Sequence, residues 1–224
     1  MTNVIIACCI SFITTYISCG IINLKQVKKA ENFVSKGLAA FPRDTKRIVY
    51  CCLMLAYQIS LSIIITKFYS GNMCDYAKTI ALASLMWPMA QIDFKFKRIP
   101  NKLILLGLFY RLIIFIFEII FYRETLSSTI LLEFIACIGI GVILLLSLLL
   151  IKDGIGMGDV KFFMLMGLFL GPYRLISSVF IVMIIAFFIG IYKLVIKREG
   201  RKSEFAFGPA IAIGSLISFM ILGN

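Results

Sequence analysis

Lys152-Asp153-Gly154-Ile155-Gly156-Met157-Gly158-Asp159-Val160-Lys161 lies between two apolar runs, one ending at Ile151 and the other beginning at Val160. Three glycines and two carboxylates stand where a membrane helix is expected to end. An ionisable side chain at such depth is costly, and by default it marks a functional site. Asp159 is therefore read as half of a catalytic pair. Its partner must lie elsewhere in the chain at the same membrane level.

Composition supports a membrane setting. Of the 224 residues, 61% are hydrophobic, and mean hydropathy is +1.02. The apolar residues fall in blocks near the roughly 20 residues that one membrane-spanning helix needs. The expected fold is all-α: a polytopic bundle of about eight transmembrane helices with both termini outside. The opening 1–6 lacks a basic n-region, so the first run reads as a retained span. The seven cysteines lie almost entirely within apolar runs, with no C-x-x-C pair, and there is no histidine. That pattern disfavours a metal site or a disulfide framework. It also removes Ser-His and Cys-His catalysis, so any hydrolytic chemistry must use carboxylates, lysine or a cofactor. A carboxylate pair needs no histidine and no metal, and no cofactor is expected.

The runs are about 4–24, 48–66, 76–92, 103–122, 129–151, 160–170, 175–196 and 205–222. The first two form an N-terminal section, 1–75, around a short basic loop. The other six form a core, 76–224. The sixth run is short: eleven helical residues reach about 16 Å, against about 30 Å of hydrocarbon, before Gly171-Pro172 interrupts it. If it nevertheless crosses, eighteen Lys and Arg fall inside and four outside, as the positive-inside rule requires. The net charge of +12 is then a device for membrane orientation, and no nucleic-acid partner is implied.

Topological parity identifies the partner. Asp93 closes a run passing outside to inside, and Asp159 opens one passing inside to outside. They are 66 residues apart, yet both fall at the cytoplasmic face. Two carboxylates brought together share one proton, because like charges a few ångströms apart resist joint ionisation. Such a pair can activate water and protonate a leaving amide nitrogen. Gly154, Gly156 and Gly158 permit close approach of backbone or substrate. The segment Ile99-Pro100-Asn101 suits a helix start, with Asn101 as N-cap.

These residues resemble a known family. Gly156-Met157-Gly158-Asp159, with Lys161 two residues on, is similar to the G-x-G-D motif of type IV prepilin peptidases and archaeal preflagellin peptidases. Asp93 with Ile99-Pro100-Asn101 resembles the family's first aspartate and I-P-N segment. Phe205-Ala206-Phe207-Gly208-Pro209 with Gly214 resembles its final helix. The resemblance covers about 80–220. It implies a membrane aspartic endopeptidase with Asp93 and Asp159 as the catalytic pair, and Gly156, Gly158, Lys161, Pro100 and Asn101 as supporting or substrate-binding residues. The implied partners are prepilin-like or pseudopilin-like substrates, which lose a short basic leader at the cytoplasmic face. Members often carry a cysteine-rich insert after the first span. The loop 25–47 has no cysteine, so methyltransferase activity is expected to be absent.

Asp153 is a second acidic group in the same loop, suited to meeting a basic leader. Arg111 and Glu118 are seven residues apart on one helical face and, with Glu133, suggest an internal ion-pair network. Two alternatives compete. A presenilin-like or signal-peptide-peptidase-like protease also uses G-x-G-D, but here Ile92 stands where that group has tyrosine before the first aspartate, and its Pro-Ala-Leu signature is absent. A transporter-like membrane protein would show paired broken helices, whereas only one break, at Gly171-Pro172, is legible.

Overall fold

The structure is a computed structural model that describes residues 72–97, 99–121, 126–150, 156–195 and 207–221, with short helical pieces between 13 and 65. The chain divides into two units, Met1–Lys67 and Phe68–Asn224. In the first, every described residue is helical, and the Ser60 hydroxyl donates to the Tyr57 carbonyl at 2.7 Å. Most of the first two apolar runs and the basic loop lie outside the described residues, as do Asp153 and Gly154.

The second unit contains α1 (Met73–Phe96), α2 (Asn101–Phe121), α3 (Leu126–Leu150), α4 (Met157–Val195) and α5 (Gly208–Ile221). No strand occurs among the described residues. Helices satisfy their backbone polar groups internally, which is what hydrocarbon demands. Three helical stretches are long and apolar enough to cross a membrane: Asn101–Phe121, Ser128–Leu150 and Met157–Tyr192. Gly208–Ile221 is a shorter apolar helix.

α1 is less apolar than these, yet it is the core. Ile80, Ala81, Leu82, Ala83, Leu85, Met86 and Met89 are all at most 1% exposed. Buried residues on every side of a helix mark it as central, and the alanines let neighbouring helices approach. Phe162, Leu165 and Met166 of α4, Leu103 of α2 and Ile211 of α5 complete the interior. The outer faces of α2 and α3 present Leu105, Phe121, Leu146 and Leu149, as lipid-facing helices do.

α4 is one helix in name and two in direction. At Gly171 the backbone has φ 67° and ψ −179°, a combination essentially restricted to glycine. Pro172 follows and has no N–H to continue the ladder. Sixteen residues of straight helix would hold Met166 and Val182 about 24 Å apart. Instead both reach the same level of α5. The Met166 sulfur accepts from the Ser215 hydroxyl at 4.0 Å, and a Cβ on Gly214 would sit 2.8 Å from the Val182 Cα. Further along, the Ser178 hydroxyl donates to that of Ser218 at 2.9 Å. The second segment therefore runs antiparallel to α5, folded back on the first. The break expected at Gly171-Pro172 is present, and it reverses the chain.

A buried cluster of charges lies beside this break. Lys78 Nζ is 2.5 Å from Glu118 Oε1, 2.7 Å from Glu133 Oε1 and 3.5 Å from Asp75 Oδ1. Arg111 Nη1 is 2.9 Å from Glu118 Oε2, and Nη2 pairs with Glu133. Two cations face two glutamates, as buried ions must. The expected Arg111, Glu118 and Glu133 network is present, and Lys78 of α1 is a further member.

Candidate active site

Asp93 occupies the last turn of α1. Its backbone carbonyl accepts the Lys97 N–H at 2.7 Å, and Lys97 ends the helix in a left-handed conformation with φ 50°. The negative end of a helix is a poor place for a carboxylate. Another helix compensates: the backbone N–H of Gly208, at the start of α5, donates to Asp93 Oδ2 at 2.7 Å. Since Pro209 has no N–H, Gly208 is the early donor that α5 can offer. Burial pushes the Asp93 carboxyl above its ordinary range, and the Gly208 N–H opposes that rise.

Asp159 occupies the first turn of α4. The Gly156 N–H donates to its Oδ2 at 3.2 Å, while the Gly156 carbonyl accepts from the Asp159 N–H at 3.0 Å and the Val160 N–H at 3.2 Å. This is half of a capping box, with an acidic group three residues into the helix reaching back to the cap. Asp159 complements the helix end, and Asp93 lies within its Coulombic reach. Asp93 is 5% exposed and Asp159 8%. Two buried carboxylates thus lie within Coulombic reach of one another, each with Oδ2 held by a backbone N–H at the beginning of a helix.

The link between α1 and α2 closes one side. A Cβ on Gly158 would lie 3.1 Å from the Ile99 Cβ and 3.4 Å from the Ile99 nitrogen, so the glycine admits this link against α4. Ile99 is buried and Pro100 half-buried. The Leu103 N–H donates to the Pro100 carbonyl at 3.0 Å. Asn101 departs from the expected capping role. It is the first residue of α2, and its side-chain Oδ1 accepts from Lys161 Nζ at 3.3 Å. Its amide ties α2 to α4 on the exposed rim of the site.

The structure thus gathers Asp93, Asp159, Gly156 and Gly158 with the Ile99-Pro100-Asn101 link and Lys161. Asp153 lies outside the described residues. Gly208 was legible in the sequence only as part of the Phe205–Pro209 segment that opens the last apolar run. The available signal was parity: the eighth run begins on the same side as the two aspartates.

No curated protein and no solved structure matches the chain. A model of the type IV leader peptidase family matches residues 80–191, which contain both aspartates, α2, α3 and most of α4. That is half of the 224 residues. The helical chain with its spanning-length apolar segments therefore belongs to the type IV leader peptidase family, a family of membrane peptidases.

Proposed function

We propose that the protein is an aspartic endopeptidase that removes the short basic leader from prepilin-like or pseudopilin-like precursors at the cytoplasmic membrane face. Asp93 and Asp159 carry the chemistry. One carboxylate accepts a proton from water as the water oxygen attacks the scissile carbonyl carbon. The other, protonated, donates to the carbonyl oxygen. One carboxyl then gives its proton to the amide nitrogen while the other takes a proton from a hydroxyl of the tetrahedral intermediate; the C–N bond breaks and a free amine and a carboxylic acid leave. The pair ends with one shared proton, as it began. The Gly208 and Gly156 N–H groups fix the two Oδ2 atoms, so orientation is set before substrate arrives.

The observation that carries this reading is that two buried aspartates at two different helix ends lie within Coulombic reach of one another. The proposed topology has eight spans with both termini outside, two in 1–75 and six in 76–224, which puts the pair on the inner face. Asp153 and the rim around Lys161 are proposed to meet the leader. Methyl transfer to the new N-terminus is proposed to be absent, and robust label transfer from a methyl donor to a cleaved precursor would defeat that part.

Asp93→Asn and Asp159→Asn test the pair. Each keeps side-chain volume and removes the titratable group. Loss of leader cleavage with normal membrane insertion is expected of both. Unimpaired cleavage by either variant overturns the assignment.

A further inference from the structure

Arg111 makes a contact that ion pairing does not explain. Its two Nη atoms are committed to Glu118 and Glu133, and its Nε donates to the backbone carbonyl of Leu168 at 2.9 Å. In an unbroken helix that carbonyl would accept the N–H of the residue four positions on. That residue is Pro172, which has none. Arg111 therefore supplies the donor that the break removed. It also sets a positive charge at the carboxyl end of the first segment of α4, where the helix dipole favours one. Glu133 braces the same place from α3, its Cγ 3.8 Å from where a Cβ on Gly171 would be.

The segment gripped in this way begins with Asp159. Leu168 lies nine residues further on, about 14 Å along a rigid helix. A short helix held at its far end transmits any axial slip or roll to its first turn. We propose that Arg111 is a positioning residue for the aspartate pair, setting through the Leu168 carbonyl the axial position at which the 157–170 segment presents Asp159 to Asp93. The inference rests on that pair being the reactive one, but its structural half stands apart from catalysis. Lysine does not replace arginine here. The guanidinium holds two carboxylates and a carbonyl from one rigid plane with two Nη atoms and Nε, whereas an ammonium is a point charge on a flexible stem and fixes no such geometry.

The experiment uses the full chain in proteoliposomes, with the seven native cysteines replaced by alanine. Nitroxide labels are placed at Phe94→Cys and Met157→Cys, two exposed positions beside Asp93 and Asp159. Pulsed dipolar spectroscopy reads the distance between the labels, and cleavage of a basic-leader precursor is measured on unlabelled protein. Arg111→Lys is expected to shift or broaden the 94–157 distance. It is also expected to lower kcat roughly tenfold to a hundredfold with KM little changed, the scale of a misplaced catalytic group. Ser178→Ala, which removes a buried bond between α5 and the second segment of α4, is the control for destabilisation and should leave the distance and kcat unchanged. If Arg111→Lys fails to insert, Glu118→Gln removes one brace of the guanidinium and should move the distance in the same sense by less. A 94–157 distance unchanged in the variant that inserts overturns the proposal. A distance shifted by Arg111→Lys, when the protein with Arg111 intact cleaves no leader either, supports the role of Arg111 and counts against the peptidase reading.

Discussion

Replacing Gly208 with alanine tests the site at a position without a functional side chain. A Cβ there would lie 2.7 Å from the Asp93 Cβ, 2.9 Å from its Oδ2 and 3.1 Å from the Ala90 Cα. Two of these three atoms are held by the α1 backbone, so no rotamer change relieves the overlap. Either α5 moves away from α1 or the Asp93 carboxylate swings out of place, and both stretch the 2.7 Å bond from the Gly208 N–H. Overpacking of this kind costs about 1–3 kcal/mol. If that cost falls on the presentation of Asp93, it becomes a roughly 5- to 150-fold loss in kcat at 1.36 kcal/mol per decade. The assay is leader cleavage in proteoliposomes followed by gel mobility, with insertion and thermal unfolding measured alongside. Gly190→Ala is the control, since nothing lies within 4 Å of its added Cβ. Cleavage by Gly208→Ala at the wild-type rate would refute the view that this approach of α5 holds Asp93 in its working position.

Three further outcomes are expected. The rate of cleavage should fall on acidification with an apparent pKa above the ordinary aspartate value of about 3.9, because burial raises Asp93. The limb belongs to the pair rather than to one residue, and a limb at or below that value in the pH profile would contradict it. Gly171→Ala should lower stability by about 1–3 kcal/mol, through backbone strain at φ 67° alone. Space is available there, the nearest atom being Glu133 Cγ at 3.8 Å, so an unchanged unfolding temperature in detergent would show that the break relaxes. Lys78→Met should cost about 3–5 kcal/mol, because Glu118 and Glu133 would be left buried against one guanidinium. Unfolding like that of the wild type would mean that the glutamates take up protons or rearrange cheaply.

Much of this protein was legible along the chain because hydrocarbon imposes local rules. Each spanning helix must satisfy its own backbone and carry its own apolar surface, so α2, α3 and α4 are visible as runs of residues. The Gly171-Pro172 break is equally local, since one residue needs a backbone conformation closed to others and the next has no N–H. The two aspartates are legible from their places at run ends and from the residues around them. The apolar length of 76–92 understates α1, which extends over Met73–Phe96. Its small and mildly polar residues lie inside the bundle, where helices rather than lipid surround them.

Tertiary structure alone decided how these ends meet. The donor to Asp93 is a backbone N–H 115 residues away, and a backbone N–H has no side-chain identity to read. Lys78 joins Glu133 across 55 residues, so a lysine within the third apolar run is a counterion for two glutamates. Asn101 has the residue type of a helix cap, but its amide is taken by Lys161 of another helix. Among the described residues, the sequence by itself determined which segments are helices, where one of them breaks and which acids stand at helix ends, because those depend on each segment's contact with lipid and with its own backbone. The pairing of helix ends, the reversal of α4 and the partners of each buried charge depend on contacts between segments far apart in the chain, and only packing sets those.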